Sequence, residues 1–218
     1  MKVCTDACLF GALLPTIEKG NALDIGAGTG LLSLMFAQKN SSCSIDSVEL
    51  DEAACEQAAG NFHQSRWKNR LHIYQASIQA YTSNLQKQYD IIFCNPPFFE
   101  NDLKSENTKR NLALHSTQLS LAQLITIAKN FLASKGLFCV LLPYSRNNYF
   151  EQLAKKEQLF LQKKIFIRQT PKHDFFRSVL FFGKNSISST EEEITIKTGD
   201  GKYSLKFVQL LNDYYLYL

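Results

Sequence analysis

Between Leu23 and Ala37 the chain passes from a strand signal, Leu23-Asp24-Ile25, through Gly26-Ala27-Gly28-Thr29-Gly30, into Leu31-Leu32-Ser33-Leu34-Met35-Phe36-Ala37, which is apolar at helical spacing. Strand, glycine-rich turn and helix in that order open a nucleotide-binding βαβ unit. Glycines let backbone approach a ligand closely, and a helix start offers N–H groups with no partner inside the helix. The same alternation continues along the chain. It predicts strands over 21–26, 44–49, 71–76, 90–95, 136–142, 163–168 and 178–183, and helices over 6–18, 30–39, 51–63, 119–133, 147–159 and 204–216. Asp51 is the expected N-cap of the third helix, Gly136 the expected stop of the fourth, and 191–203 reads as an added hairpin around Gly199-Asp200-Gly201. Such alternation argues an α/β sheet with helices on both faces.

A second motif ends the fourth strand. Tyr89-Asp90-Ile91-Ile92-Phe93-Cys94 is followed by Asn95-Pro96-Pro97-Phe98. The two prolines fix φ near −65° and remove two backbone donors, so the chain leaves the sheet as a stiff turn whose carbonyls are free to accept. The Asn95 amide, the Pro96 carbonyl and the Phe98 ring are thereby expected at one strand tip. Two acceptors beside an aromatic face suit a flat base carrying an exocyclic NH2, and hence chemistry on a planar amine or amide nitrogen.

The glycine spacing Gly26-x-Gly28-x-Gly30 differs from the dinucleotide fingerprint, and Asp24 precedes it. That carboxylate would repel a pyrophosphate and attract an amino or sulfonium cation. The motif resembles the S-adenosylmethionine loop of Rossmann-like class I methyltransferases. Further on, Ser44-Ile45-Asp46-Ser47-Val48-Glu49 reads as the second strand and ends in an acid placed to accept from both hydroxyls of a ribose.

Length and composition bound the setting. A chain of 218 residues, 45% apolar and 20% charged, is of the size and makeup of one soluble domain with a substantial core. No apolar stretch reaches the roughly 20 residues a membrane span needs, and Met1-Lys2-Val3 lacks the features of a signal peptide, so a cytoplasmic location is expected. The six cysteines form no Cys-x-x-Cys pair and His63, His72, His115 and His173 do not cluster with them, so neither a metal site nor a disulfide framework is expected. Net charge is only +4. Any nucleic-acid contact must therefore be local: Lys104, Lys109 and Arg110 in the long stretch 99–118, and Lys163, Lys164, Arg168, Lys172 and Arg177 towards the C-terminus, the last two beside Phe175 and Phe176 in segment 169–177.

Met1-Lys2-Val3-Cys4-Thr5-Asp6, Leu23 to Leu32, Val48-Glu49-Leu50, Cys94 to Phe99, Gly136 to Pro143, Arg177 to Leu180 and the aromatic C-terminal segment together resemble the bacterial tRNA adenine-N6 methyltransferases that modify the adenosine 3′ of the anticodon in a valine tRNA. The resemblance implies a seven-stranded sheet, parallel except for one strand near the C-terminus, with S-adenosylmethionine as donor. It implies that Asp24, Gly26, Gly28 and Gly30 contact the methionine part of the cofactor, that Glu49 holds its ribose, and that Leu50, Ser77, Ile78 and Asn95 also border it. Asn95, Pro96 and Phe98 would hold and activate the base, with Pro97, Phe99, Lys104, Lys109, Arg110, Lys172 and Arg177 contacting RNA. A monomer acting on tRNA is expected, as one domain with an extension over 190–218.

Three positions depart from the family pattern. Ser77 stands where members have an Asp that accepts from the adenine, and Leu114 precedes His115 where they have Arg. Their aromatic, basic segment ahead of Met-Lys-Val has no counterpart, which points to a displaced start or a site open on one side. The Asn-Pro-Pro turn also serves planar amides, so methylation of ribosomal guanine or of a protein glutamine stays open, as does an idle RNA-binding protein.

Overall fold

A computed structural model of the chain describes residues 4–96 and 119–217. Its centre is one sheet of eight strands, β1 (Gly20–Ile25), β2 (Cys43–Glu49), β3 (Leu71–Gln75), β4 (Tyr89–Cys94), β5 (Leu132–Pro143), β6 (Phe160–Arg168), β7 (Phe175–Gly183) and β8 (Thr190–Thr195), in the order β3-β2-β1-β4-β5-β7-β6-β8. Strand β7 runs against both neighbours, and every other pairing is parallel. Helices α1 (Thr5–Leu13), α2 (Leu31–Lys39), α3 (Glu52–Gln64), α4 (Ile78–Thr82), α5 (Leu121–Phe131), α6 (Asn147–Lys156) and α7 (Leu205–Leu211) connect or flank the strands.

The apolar run of β4 shows why both faces must be covered. Successive side chains of a strand point to opposite sides. Ile91 and Phe93 join the layer containing Phe10, Phe36 and Phe62, from α1, α2 and α3; Ile92 and Cys94 join the layer containing Ile125, Phe138 and Phe150, on the side of α5 and α6. From Ile91 to Cys94 every residue of β4 is buried, so that stretch has no polar alternate positions, which is the parallel-sheet pattern.

Several elements depart from the expected bounds, among them α7, which ends at Leu211 rather than at residue 216. Strand β8 is an eighth strand in place of half the expected hairpin. It pairs with β6 from Lys163↔Thr190 to Arg168↔Thr195, and only the bridge Lys197↔Tyr203 remains of the hairpin. Helix α1 stops at Leu13 because Pro15 forbids helical geometry at Leu14, which sits at φ −56°, ψ 140°. Strand β5 starts directly after α5, so Gly136 lies inside a strand rather than ending a helix. There a Cβ would come within 3.0 Å of the Tyr89 carbonyl, and the β4–β5 register shifts between Tyr89 and Ile91. The short helix α4 is additional, capped by Ser77.

The chain order reverses direction between β1 and β4: β2 and β3 lie to one side, β5 to the other. Ligand clefts of doubly wound sheets open at the carboxyl ends of strands at such a switch.

Candidate active site

Gly26 and Ala27 both donate to the Val48 carbonyl, at 2.9 and 3.1 Å, and the Gly30 N–H closes the turn on the Ala27 carbonyl at 2.9 Å. Gly26, Gly28 and Gly30 have φ of 72°, 55° and 82°, a region L-residues with a Cβ avoid. At Gly30 space forbids a side chain as well: a Cβ would lie 2.4 Å from Cε1 of the buried Phe62. A Cβ on Gly26 would meet nothing within 4 Å, for this residue lines the cleft.

Glu49, at the end of β2, fastens this turn. Its Oε2 accepts from the Gly28 N–H at 2.7 Å and its Oε1 from Leu50 and Asp51 N–H at 2.8 and 2.9 Å. A carboxylate offers about four lone-pair sites, so one acceptor position stays open on Oε2. The acid expected to take two ribose hydroxyls is thus already engaged three times. Asp24 lies beneath the turn, fully buried. Its Oδ2 accepts from Ser33 Oγ at 2.7 Å, Ser33 Oγ is 2.8 Å from Ser47 Oγ, and Oδ1 has no partner. Burial pushes the Asp24 carboxyl up to about 7, with the Ser33 hydrogen bond opposing and the Glu49 charge adding.

From β4, Asn95 and Pro96 reach the same cleft, a cavity of about 730 Å³. The Asn95 Oδ1 is buried without a hydrogen-bond partner. Across the cleft Leu50 is 54% exposed at the lip and Ile78 is buried. Ser77 Oγ accepts from Ala80 N–H at 3.1 Å as cap of α4, leaving its hydroxyl proton and second lone pair for a ligand. Pro97, Phe98, Phe99, Lys104, Lys109, Arg110, Leu114 and His115 lie outside the described residues.

Cys4 and Ala7, in and just before α1, also line the cleft. Nothing within Cys4-Thr5-Asp6-Ala7 itself shows that α1 packs on α2 beside the glycine turn. Arg177 explains how that end is held: its Nε is 2.9 Å from Asp6 Oδ2 and its guanidinium lies over Phe176. Of the other expected phosphate contacts, Lys163 pairs with Glu192, Lys164 with Glu151 and Glu191, and Arg168 with Glu193. Lys172 is exposed in the turn between β6 and β7. The acidic triplet of β8 therefore neutralises the basic stretch of β6. Among the described residues no group of three or more His, Cys, Asp or Glu is placed to hold a metal, and no helix is long and apolar enough to cross a membrane.

A switch-point cleft with a glycine turn, an acid ending β2 and Asn-Pro ending β4 defines the class of Rossmann-like, S-adenosylmethionine-dependent methyltransferases. Residues 5–162 match the family model described as methyltransferase small domain. Curated relatives from Photorhabdus laumondii (37% identical, 100% of this chain, 89% of the relative), Flavobacterium psychrophilum (36%, 99% and 93%) and Cytophaga hutchinsonii (39%, 100% and 92%) each bear the name tRNA1(Val) (adenine(37)-N6)-methyltransferase. The chain belongs to the methyltransferase small domain family and, within it, to the family of these relatives. Among solved structures it is similar to a predicted O-methyltransferase of Agrobacterium tumefaciens (TM-score 0.76, 14% identical, 95% of each chain) and to a methyltransferase of Pyrococcus furiosus (0.56, 20%, 78% of this chain and 77% of that one). At those identities the likeness shows the fold alone.

Proposed function

We propose that the chain methylates the exocyclic N6 of adenosine 37 in a valine tRNA, the reaction named for its relatives. S-adenosylmethionine, when bound, supplies an electrophilic methyl group on a sulfonium. The cleft suits it: Gly26 and Gly28 offer close backbone approach, the open acceptor site of Glu49 meets a ribose hydroxyl, and Leu50 and Ile78 present apolar surface to a purine whose edge Ser77 can reach.

The observation that carries the reading is the buried, unpartnered Asn95 Oδ1. A buried acceptor without a donor costs about 1–3 kcal/mol, and an incoming amine N–H removes that cost. With the Pro96 carbonyl taking the second N–H, the amine nitrogen is held pyramidal, its lone pair withdrawn from the ring and directed out of the base plane. Catalysis is then positioning and electrostatics. Neither oxygen is a strong base, and the proton leaves the alkylated nitrogen to water. Pro97, Phe98 and Phe99 would complete the base pocket, with Lys104, Lys109, Arg110 and Lys172 on the RNA side, while Arg177 is engaged by Asp6. Adenine inside an anticodon loop reaches such a pocket by turning outward. The chain would act as a cytoplasmic monomer, one domain with the segment after residue 190 as an extension.

The test is incubation with labelled S-adenosylmethionine and total tRNA from a strain lacking the gene, followed by nucleoside mass spectrometry. N6-methyladenosine at position 37 of one valine tRNA is the expected product. Methylated guanosine, or no label in tRNA, would overturn the assignment.

A further inference from the structure

Three aromatic rings at the carboxyl end of the sheet belong to neither apolar layer of the core. Tyr144 and Phe166 lie with centroids 5.5 Å apart at 76°, Tyr144 and Phe175 5.5 Å apart at 41°, and Phe166 and Phe175 5.2 Å apart at 36°. Every ring touches the other two. Tyr144 is 42% exposed, and Phe166 and Phe175 are half-buried. The reason they stay uncovered is local. Helix α6 begins at Asn147, whose Nδ2 donates to Ser178 Oγ at 2.8 Å, and Ser178 is the register partner of Phe166. Of the described helices, α6 packs on β6, and it begins only at Asn147, beside that bond.

We propose that this three-ring face is a stacking platform for unpaired bases flanking the methylated adenosine. The inference rests on the RNA reading above and deepens it by locating where the loop is gripped. The Arg168 guanidinium lies 4.8 Å from the Phe175 ring centre and the Lys164 ammonium 5.7 Å from that of Phe166, which gives the rings the cationic edge found where bases stack. Both cations already answer to glutamates, Arg168 to Glu193 and Lys164 to Glu151 and Glu191. The patch therefore offers faces for bases and little net charge for phosphates, which selects a single-stranded loop over a duplex.

Position supports the same occupant. Cys94 pairs with Val140, Leu142 with Ser178, and Ser178 with Phe166, so the rings lie one to three strands from Asn95 along the same strand-end rim. At ~4.8 Å per strand that is on the order of 5–15 Å, or a few nucleotides at ~3.4 Å per stacked step. One more feature marks the place: Asn147, bonded to the register partner of Phe166, has its Oδ1 buried without a partner.

The experiment uses the full chain and an anticodon stem-loop RNA carrying 2-aminopurine at single positions near the target adenosine. Binding to the wild type is expected to quench the probe at one or more of these positions. Tyr144→Ala abolishes that quench and raises KM for the stem-loop about tenfold, the loss of one base-on-ring stack, with kcat, cofactor affinity and salt dependence unchanged. Tyr144→Phe keeps the ring and restores both signals, and Phe175→Leu gives a second variant should Tyr144→Ala fold poorly. Quench and KM equal to wild type in a folded Tyr144→Ala would overturn the platform while leaving the enzyme's assignment intact. A wild type that methylates no tRNA adenosine sinks that assignment and the platform with it.

Discussion

Replacing Gly30 by Ala tests whether the glycine turn is shaped by packing or only by backbone conformation. The backbone part costs about 1–2 kcal/mol, because Gly30 sits at φ 82°, ψ 14°, where a Cβ crowds the following carbonyl. The packing part adds roughly 1–3 kcal/mol: the new Cβ would lie 2.4 Å from Cε1 and 2.9 Å from Cζ of Phe62, which is itself only 3% exposed and has no room to swing. Gly26→Ala incurs the first cost alone, since φ is 72° but nothing lies within 4 Å. Equilibrium urea unfolding should therefore place Gly30→Ala about 1–3 kcal/mol below Gly26→Ala at equal m-values. In thermal melts that difference is a further drop of several degrees for a chain of this size. Gly26→Ala should instead lose cofactor affinity, its methyl standing in the cleft. Adding Phe62→Leu to Gly30→Ala removes the clashing edge and should recover about 1 kcal/mol or more relative to additivity. Strict additivity, or equal stability of the two alanine variants, would refute the packing argument.

The remaining predictions concern the polar groups. Asn95→Ala should lower kcat about 100-fold with S-adenosylmethionine affinity within a few-fold of wild type in calorimetry; affinity falling in step with kcat would argue against an activating role. Burial raises the Asp24 carboxyl to about 7, so the native chain holds a proton between roughly pH 4 and 7 that the unfolded chain releases, and this group's contribution to stability falls as pH rises through that window. Asp24→Asn should flatten that slope and be the more stable protein at pH 8 while binding cofactor less well; parallel wild-type and variant pH profiles would sink this. Glu49→Gln must turn an NH2 towards at least one of the Gly28, Leu50 and Asp51 N–H groups, so stability should drop by about 1–3 kcal/mol together with cofactor binding; loss of binding without loss of stability would show the acid to be a ligand contact only. Glu193→Gln unpairs Arg168 and should steepen the salt dependence of tRNA binding by about one charge at a stability change under about 1 kcal/mol, and an unchanged salt slope would count against it.

How much of this was legible beforehand depended on whether a residue's role is local. Leu23 to Ala37 and Tyr89 to Cys94 announce themselves because burial on both faces leaves a run of apolar residues whose ends are fixed by glycine or proline. Strand β8 did not, because Thr190-Glu191-Glu192-Glu193-Ile194-Thr195 buries only Ile194 fully and is held to β6 by ion pairs whose partners lie far along the chain. The same pairs hid the fate of Lys163, Lys164 and Arg168, which read as phosphate contacts until their glutamates were placed. Gly136 read as a helix stop since a glycine after an apolar helix usually is one; its true constraint is the Tyr89 carbonyl, from another strand. Cys4 and Ala7 border the cleft only because Asp6 reaches Arg177 on β7 and α1 packs on α2.

The unmet acceptors tie these observations together. Among the described residues, three buried side-chain oxygens lack a hydrogen bond: Asp24 Oδ1, Asn95 Oδ1 and Asn147 Oδ1. Each costs about 1–3 kcal/mol, a substantial fraction of the ~5–15 kcal/mol that separates a folded domain from its unfolded chain, so scattered placement would be hard to sustain. They are not scattered. Asp24 and Asn95 stand on β1 and β4 at the switch point, one beneath the glycine turn and one at the end of the adjacent strand, where Ile25 pairs with Cys94. Asn147 starts α6 and donates to Ser178, the register partner of Phe166 in the ring cluster. Local rules of polar satisfaction are broken in folded proteins chiefly where a ligand completes them. By that logic the cleft needs an N–H donor at Asn95, which lines it while Asp24 lies beneath it: cofactor alone should leave that need unmet, and protection of the β4 end should increase further only when the base-bearing substrate is added. Hydrogen exchange followed at Asn95 and its neighbours in the free, cofactor-bound and doubly bound protein measures this directly, and equal protection in the last two states would mean that Asn95 does not face the substrate.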